Sequence, residues 1–265
     1  MKILGKLVAL GAVLAVSSSL AFADSVTLGS YGLANGSYNP TVTVDNTAMN
    51  VVGYQASAIT TVGCGSGVTR CLSGPFTNTL NTTGAGEATE LNPTGAINSW
   101  RAPVSNSSWV GINANAGPLQ TSNPPSGYYV FNTTFNANGG IYGGMINVYA
   151  DDTTEVLLNG NILVPFGALG SDLTCADHAP SCYLSNALYS ASLNGTSLLS
   201  GQNTLTFVVE QVGTEGTLTD GFGDDPSGVD FSANLTQTPE PSSLMLLGTG
   251  LTGAAGLLFR RRRTA

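Results

Sequence analysis

The stretch Val229-Asp230-Phe231-Ser232-Ala233-Asn234-Leu235-Thr236 alternates apolar and polar residues without a break. Period two marks a strand with one face in a core, because successive side chains along a strand point to opposite sides of the sheet. Val229, Phe231, Ala233 and Leu235 make the inward face, and Asp230, Ser232, Asn234 and Thr236 the outward one. Leu205, Phe207 and Val209 alternate with Thr204 and Thr206 in the same way, and Tyr129, Phe131, Thr133 and Phe135 form a third row. Further strands are expected at Val26–Tyr31, Thr41–Val44, Asn50–Val62, Ser108–Ile112, Ile141–Tyr149, Glu155–Leu158 and Ile162–Val164. Asn159-Gly160 separates the last two and predicts a type I′ hairpin turn. One short helix is expected around Tyr183–Leu193, where Leu184, Leu188 and Ala191 share a face. Many short strands divided by Gly, Asn, Ser and Thr turn signals specify an all-β fold, a jelly-roll β-sandwich.

Both ends of the 265-residue chain read as targeting segments. Lys2 and Lys6 precede an apolar run, Leu7 to Val16, and Ala21-Phe22-Ala23 has the small-x-small form that signal peptidase accepts. The expected cut lies between Ala23 and Asp24, so residues 1–23 are a signal peptide. Near the other end, residues 244–259 are apolar and are followed at once by Arg260, Arg261, Arg262 and Arg263. Such a run approaches the length of a membrane span, and the arginines hold its far end in the cytoplasm. The preceding domain is then outside, the orientation that export by a signal peptide also requires. The expected organisation is a β-sandwich ectodomain over residues 24–237, followed by a sorting tail over 238–265 with a single transmembrane segment at 244–259.

Charge is scarce, at 9% of residues against about 25% in ordinary domains. Of the eight lysines and arginines only Arg70 and Arg101 fall outside the two end segments, whereas all sixteen acids except Glu240 lie within residues 24–237. So acidic a domain repels phosphate backbones, and no nucleic-acid partner is expected.

Pro239-Glu240-Pro241, the apolar segment and the arginine cluster stand in an order that closely resembles the PEP-CTERM sorting signal. The resemblance implies that an exosortase in the inner membrane recognises the tail, cuts near Pro-Glu-Pro and delivers the protein to the surface of a Gram-negative cell that makes exopolysaccharide. A second resemblance covers residues 100–236. Its most specific parts are Ala150-Asp151-Asp152 leading to Val156-Leu157-Leu158-Asn159-Gly160, and Gly201-Gln202-Asn203-Thr204-Leu205. These are similar to the galactose-binding-like jelly roll of many carbohydrate-binding modules, which implies a non-catalytic sugar-binding role; within that family Asp151-Asp152 is mostly structural. The role of residues 24–99 is left open.

Four cysteines in an exported chain point to disulfides. Cys64 with Cys71 and Cys175 with Cys182 are the expected local pairs, each closing a loop with a stabilisation of about 2.5 kcal/mol. The crossed pairings stay open.

Catalysis finds little support. His178 is the only histidine, and no nucleophile motif surrounds it. Carboxylates are abundant, at Glu87, Glu90, Asp151, Asp152, Glu155, Glu210, Glu215 and Asp230, but glycoside hydrolysis needs two of them at a fixed separation, which sequence does not show. Asp220, Asp224 and Asp225 on a glycine-rich loop offer oxygen ligands that suit calcium, although no EF-hand pattern is present. Sugar rings stack on flat aromatic faces, so Trp100, Trp109, Tyr128 and Tyr129 are candidate platforms, with Arg101 and Asn113 as polar partners. The preferred expectation is an exported surface or biofilm-matrix protein that binds exopolysaccharide. The alternatives are a secreted glycan hydrolase and a purely structural matrix component.

Overall fold

Strand β8, Gly127–Asp151, runs for 25 residues and belongs to both layers of the fold. The structure is a computed structural model. It describes residues 23–36, 38–60, 62, 71–94, 100–118, 124–169, 188–212, 226–239 and 247–256. In chain order the strands are β1 (Ser25–Gly29), β2 (Asn50–Ala56), β3 (Ile59–Thr60), β4 (Cys71–Leu72), β5 (Gly86–Glu87), β6 (Thr89–Glu90), β7 (Val110–Gly111), β8, β9 (Thr153–Leu158), β10 (Asn161–Val164), β11 (Tyr189–Ser192), β12 (Thr196–Gln211) and β13 (Gly228–Gln237). The two expected rows at 129–135 and 141–149 are thus one strand. It turns at Gly139 and Gly140, whose φ values of 77° and 107° suit glycine.

The first half of β8 lies between β12 and β2, with Phe131 opposite Phe207 on one side and Val51 on the other. β9 and β10 extend this layer beyond β12. The second half of β8 pairs with β11 and β13, and β1, β7 and β6 continue beyond β13. The inward rows of both layers meet in one core, where Phe207 of β12 and Phe231 of β13 have ring centroids 4.6 Å apart. Phe131, Ile146, Val148, Val156, Val209 and Val229 join them, all at most 1% exposed. Close approach of β13 to β8 requires Gly144: a Cβ there would stand 1.9 Å from the carbonyl oxygen of Asn234.

Residues 24–99, whose role the sequence left open, complete this sandwich. β1, β2, β5 and β6 add strands to the sheet, and Leu72, Phe76 and Leu80 cover the outer face of the first layer over Tyr128, Val130 and Val208. That layer is therefore buried on both faces, which accounts for the unbroken apolar runs at 128–131 and 207–209.

Several local expectations change. Asn159 and Gly160 take φ values of 51° and 79° and make the expected hairpin turn between β9 and β10. Thr41–Val44 is not a strand. The expected helix at Tyr183–Leu193 is corrected over its described part: residues 189–192 are β11, paired with Met145–Val148, because register against β8 outweighs a weak helical periodicity. Residues 183–187 lie outside the described residues.

The chain divides into two units, Val26–Leu235 and a unit made of Met1–Ser25 with Thr236–Ala265. Within the second unit the Gln237 N–H donates to the Asp24 carbonyl at 2.7 Å, Ala23 and Pro239 are exposed, and residues 247–256 are helical. Among the described residues no helix is long and apolar enough to cross a membrane; the remainder of the expected segment at 244–259 lies outside them.

Candidate functional site: a polar cleft beside Arg101

Strand periodicity builds the floor of a cleft with a cavity of about 520 Å³. Ile146 and Val148 of β8 face the core, so Asn147 and Tyr149 face the opposite way. Phe231, Ala233 and Leu235 of β13 face the core, so Ser232 and Asn234 share that outer face, joined by Thr27 of β1. The wall is the segment Arg101–Asn106.

Asp230 holds that wall in place. Its Oδ2 accepts the Val104 N–H at 2.7 Å, and its Oδ1 accepts the hydroxyls of Ser107 at 2.5 Å and Ser30 at 3.0 Å. Asp230 is fully buried, and desolvation pushes its pKa up to about 6 despite these donors. Asn106, at φ 62°, closes the far end of the wall: its Oδ1 accepts the Thr43 N–H at 2.8 Å and its Nδ2 donates to the Thr43 carbonyl. The Trp109 indole donates to the Arg101 carbonyl at 2.8 Å, which anchors the backbone while the Arg101 side chain stays exposed. On the floor, Ser190 donates to Asn147 Oδ1 at 2.6 Å and so orients the amide. Burial pushes the Tyr149 phenol up, and the Arg101 guanidinium beside it pulls it partway back.

The cleft thus offers amides, hydroxyls and one guanidinium, and no carboxylate lines it among the described residues. Such a set can hydrogen-bond a polar, hydroxylated ligand.

Of the residues singled out in the sequence, Arg101 belongs to this cleft. The four candidate rings present no open stacking face. Trp100 and Trp109 lie 4.4 Å apart between ring centroids, Trp109 stacks on Tyr149 at 5.9 Å, and both indoles are at most 4% exposed. Tyr128 packs against Phe76 and Phe166 and donates to the Gly74 carbonyl, and Tyr129 stacks on Tyr54 at 4.6 Å. These rings pack the interior, because a large aromatic side chain removes more apolar area from water than an aliphatic one. Asn113 is exposed and accepts the Asn115 N–H, away from the cleft.

Among the carboxylates, Asp151 accepts the Trp100 indole N–H at 2.7 Å and Asp152 accepts the Val212 N–H at 2.6 Å; both are buried. Glu90 is also buried, and burial raises its pKa. Among the described residues no group of three or more His, Cys, Asp or Glu could hold a metal ion. Cys71 is disulfide-bonded. Cys64, Cys175, Cys182, His178, Asp220, Asp224, Asp225, Glu240, Pro241 and Arg260 to Arg263 lie outside the described residues.

Of the residues that build the cleft, Asn147, Ser232 and Asn234 were not selected in the sequence, and the supporting Asp230 was selected only as a candidate catalytic carboxylate. The alternation at 229–236 already placed three of them on the outward face. Nothing in it indicated that the 101–106 segment would rise beside that face and make a cleft.

Residues 237–263 match the PEP-CTERM protein-sorting motif. That motif marks an exported protein whose tail an exosortase processes. No curated protein matches the chain. Among solved structures the chain is similar to a family 35 carbohydrate binding module from Clostridium thermocellum, at 15% identity over 55% of this chain and 85% of that one, with a TM-score of 0.28. It is also similar to the GH26-CBM35 beta-(1,4)-mannanase of Podospora anserina, at 16% identity over 56% of this chain and 25% of that one, with a TM-score of 0.24. A PA14 domain of the antifreeze protein MpAFP matches at 13% identity over 84% of each chain, also with a TM-score of 0.24. Overlaps at this level define neither the fold nor the function of this chain.

Proposed function

We propose that the chain is an exported, non-catalytic glycan-binding protein of the cell surface or extracellular matrix, with the cleft beside Arg101 as its binding site. Signal peptidase removes residues 1–23. Residues 244–259 then hold the precursor in the inner membrane with Arg260–Arg263 on the cytoplasmic side, until an exosortase cuts near Pro239-Glu240-Pro241. The mature sandwich is displayed outward, where it meets exopolysaccharide.

The observation that carries the binding role is the lining of the cleft: Asn147, Asn234, Ser232 and Arg101 with no carboxylate among them. An Asn147 amide oriented by Ser190, with Asn234 beside it on the strand floor, suits hydroxyl recognition, and the sorting motif supplies the setting in which glycan is met. Calcium belongs to the proposal as a stabiliser of the loop that carries Asp220, Asp224 and Asp225.

The test has two arms. The mass of the protein recovered from medium and cell surface reads both processed ends; a chain beginning at Asp24 and ending near Glu240 is expected, and an intact chain in the cytosol overturns the sorting route. A glycan array on the mature form reads the cleft. Binding that is lost in Asn147→Ala and Asn234→Ala is expected. Release of reducing sugar favours the hydrolase alternative, and silence across the array favours a purely structural matrix component.

A further inference from the structure

We propose that the wall of the cleft is a proton-operated latch: residues 104–107 close over Asp230 while that acid carries its proton, and lift when the proton leaves. The hydrogen bonds beneath the wall favour the neutral acid. The Ser107 hydroxyl lies 2.5 Å from Asp230 Oδ1 and 2.8 Å from the Val104 carbonyl. The Ser30 hydroxyl lies 3.0 Å from the same carboxyl oxygen and 2.7 Å from the Ser108 carbonyl. Each hydroxyl has one proton to donate and two acceptors within reach. A protonated Oδ1 donates to the Ser107 hydroxyl, which leaves both serines free to donate to the Val104 and Ser108 carbonyls. Oδ2 still accepts the Val104 N–H, at 2.7 Å. The ionised acid must instead draw the hydroxyl protons to itself, away from those two backbone carbonyls.

Ionisation also leaves a charge in a fully buried site, and hydration reaches it once the covering segment lifts. That segment is built to move. Residues 101–109 form no strand, and Arg101, Ala102 and Ser105 are exposed. The ends are pinned by the Trp109 indole on the Arg101 carbonyl and by Asn106 on Thr43, and the middle by Asp230. Pro103, Val104 and Ser105 line the cleft, so the same movement reshapes it. Among the described residues, the titratable groups facing Asp230 are Tyr38, which hydrogen-bonds the Ser108 side chain and feels both Asp230 and Glu90, and Tyr149, which feels Asp230 and Arg101. Burial pushes both phenols up, so they stay neutral between pH 4 and 8. Burial raises Glu90 too, which makes it the group to control for. With Asp230 at about 6 under the closed wall and an ordinary value of 3.8 once hydrated, closure is fully favoured below 3.8. It loses about a hundredfold as pH rises through 6. The consequence for a bound glycan, gripped below pH 6 and loosened above it, rests on the glycan-binding reading of the cleft; the latch itself does not.

Amide hydrogen exchange of the ligand-free mature protein between pH 4 and 8, corrected for the intrinsic pH dependence of exchange, reads the latch without any glycan. Peptides covering 101–107 are expected to lose up to about a hundredfold in protection toward pH 8, and to stay less protected than peptides covering 205–209 of β12 at every pH. Protection at 101–107 that is flat with pH overturns the latch. So does exchange of 101–107 at the same level as 205–209 throughout, which means that the wall opens only when the whole domain unfolds. The parent protein alone therefore decides, even where a variant fails to fold. Asp230→Asn mimics the protonated acid and is expected to hold 101–107 at its pH 4 protection across the range, whereas Glu90→Gln is expected to keep the fall. A fall that survives Asp230→Asn, or one abolished by Glu90→Gln, overturns the assignment to Asp230. A silent glycan array leaves the exchange result standing, and a failed latch leaves the glycan site standing.

Discussion

The Val104 backbone N–H donates to Oδ2 of Asp230 at 2.7 Å, fastening the wall of the cleft to a side chain of its own floor strand. Asp230 lies on the same strand face as Ser232 and Asn234, yet only Asp230 is completely buried, because the 104–107 segment crosses over it. One carboxylate thereby couples the stability of the domain to the shape of the site.

Asp230→Ala leaves the Val104 N–H without its acceptor, while the Ser30 and Ser107 hydroxyls keep the Ser108 and Val104 carbonyls, so the expected cost is about 1–3 kcal/mol. Thermal or chemical denaturation should show that loss, and glycan binding should fall with it as the wall loosens. Ser107→Ala removes a single donor and should be much milder.

The raised pKa of Asp230 fixes the sign of a pH effect. With an ordinary value of 3.8 and a folded value of about 6, the native state holds the proton more tightly than the unfolded chain across that interval. The associated stability is fully present below 3.8 and is lost as pH rises through 6, a contribution of about 3 kcal/mol. Unfolding free energies measured between pH 4 and 8 should therefore decline for this group on the alkaline side, and the Asp230→Asn variant should lack that component. A parent and variant with identical pH profiles would count against it.

Trp109→Ala should be among the most damaging single changes in the domain. The indole is fully buried between Trp100 and Tyr149 and also supports the Arg101 carbonyl. A loss of about 3–5 kcal/mol is expected from denaturant unfolding. Because Trp100 packs on the same ring, the double variant with Trp100→Ala should cost less than the sum of the two singles.

Calcium should raise the melting temperature of the mature protein and a chelator should lower it. Saturation at about a hundredfold over the dissociation constant corresponds to about 2.7 kcal/mol. Asp220→Ala and Asp224→Ala should each remove the response. A melting curve indifferent to chelator rules out the calcium part of the proposal.

Legibility in the sequence followed the range of the interactions. The 229–236 alternation and the Asn159-Gly160 turn are set by neighbours along one strand or one hairpin, and both stand as read. The weak periodicity at 183–193 was also local, yet pairing of residues 189–192 with β8 overrode it. Trp100 and Trp109 looked like a sugar platform because composition reports that a ring exists and not what covers it. The continuous runs at 128–131 and 207–209 did hold a signal that was passed over: a strand apolar on consecutive positions is covered on both sides, here by Leu72, Phe76 and Leu80 from a distant part of the chain.

By itself, then, the sequence determined the strand faces, the tight turn between β9 and β10, and the sorting motif at residues 237–263, since each depends on residues only a few positions apart. The tertiary structure alone decided which face would be roofed and which acid would be buried. Those outcomes depend on segments far apart in sequence, such as Val104 and Asp230, being brought to within a hydrogen bond of each other, and no local pattern encodes that distance.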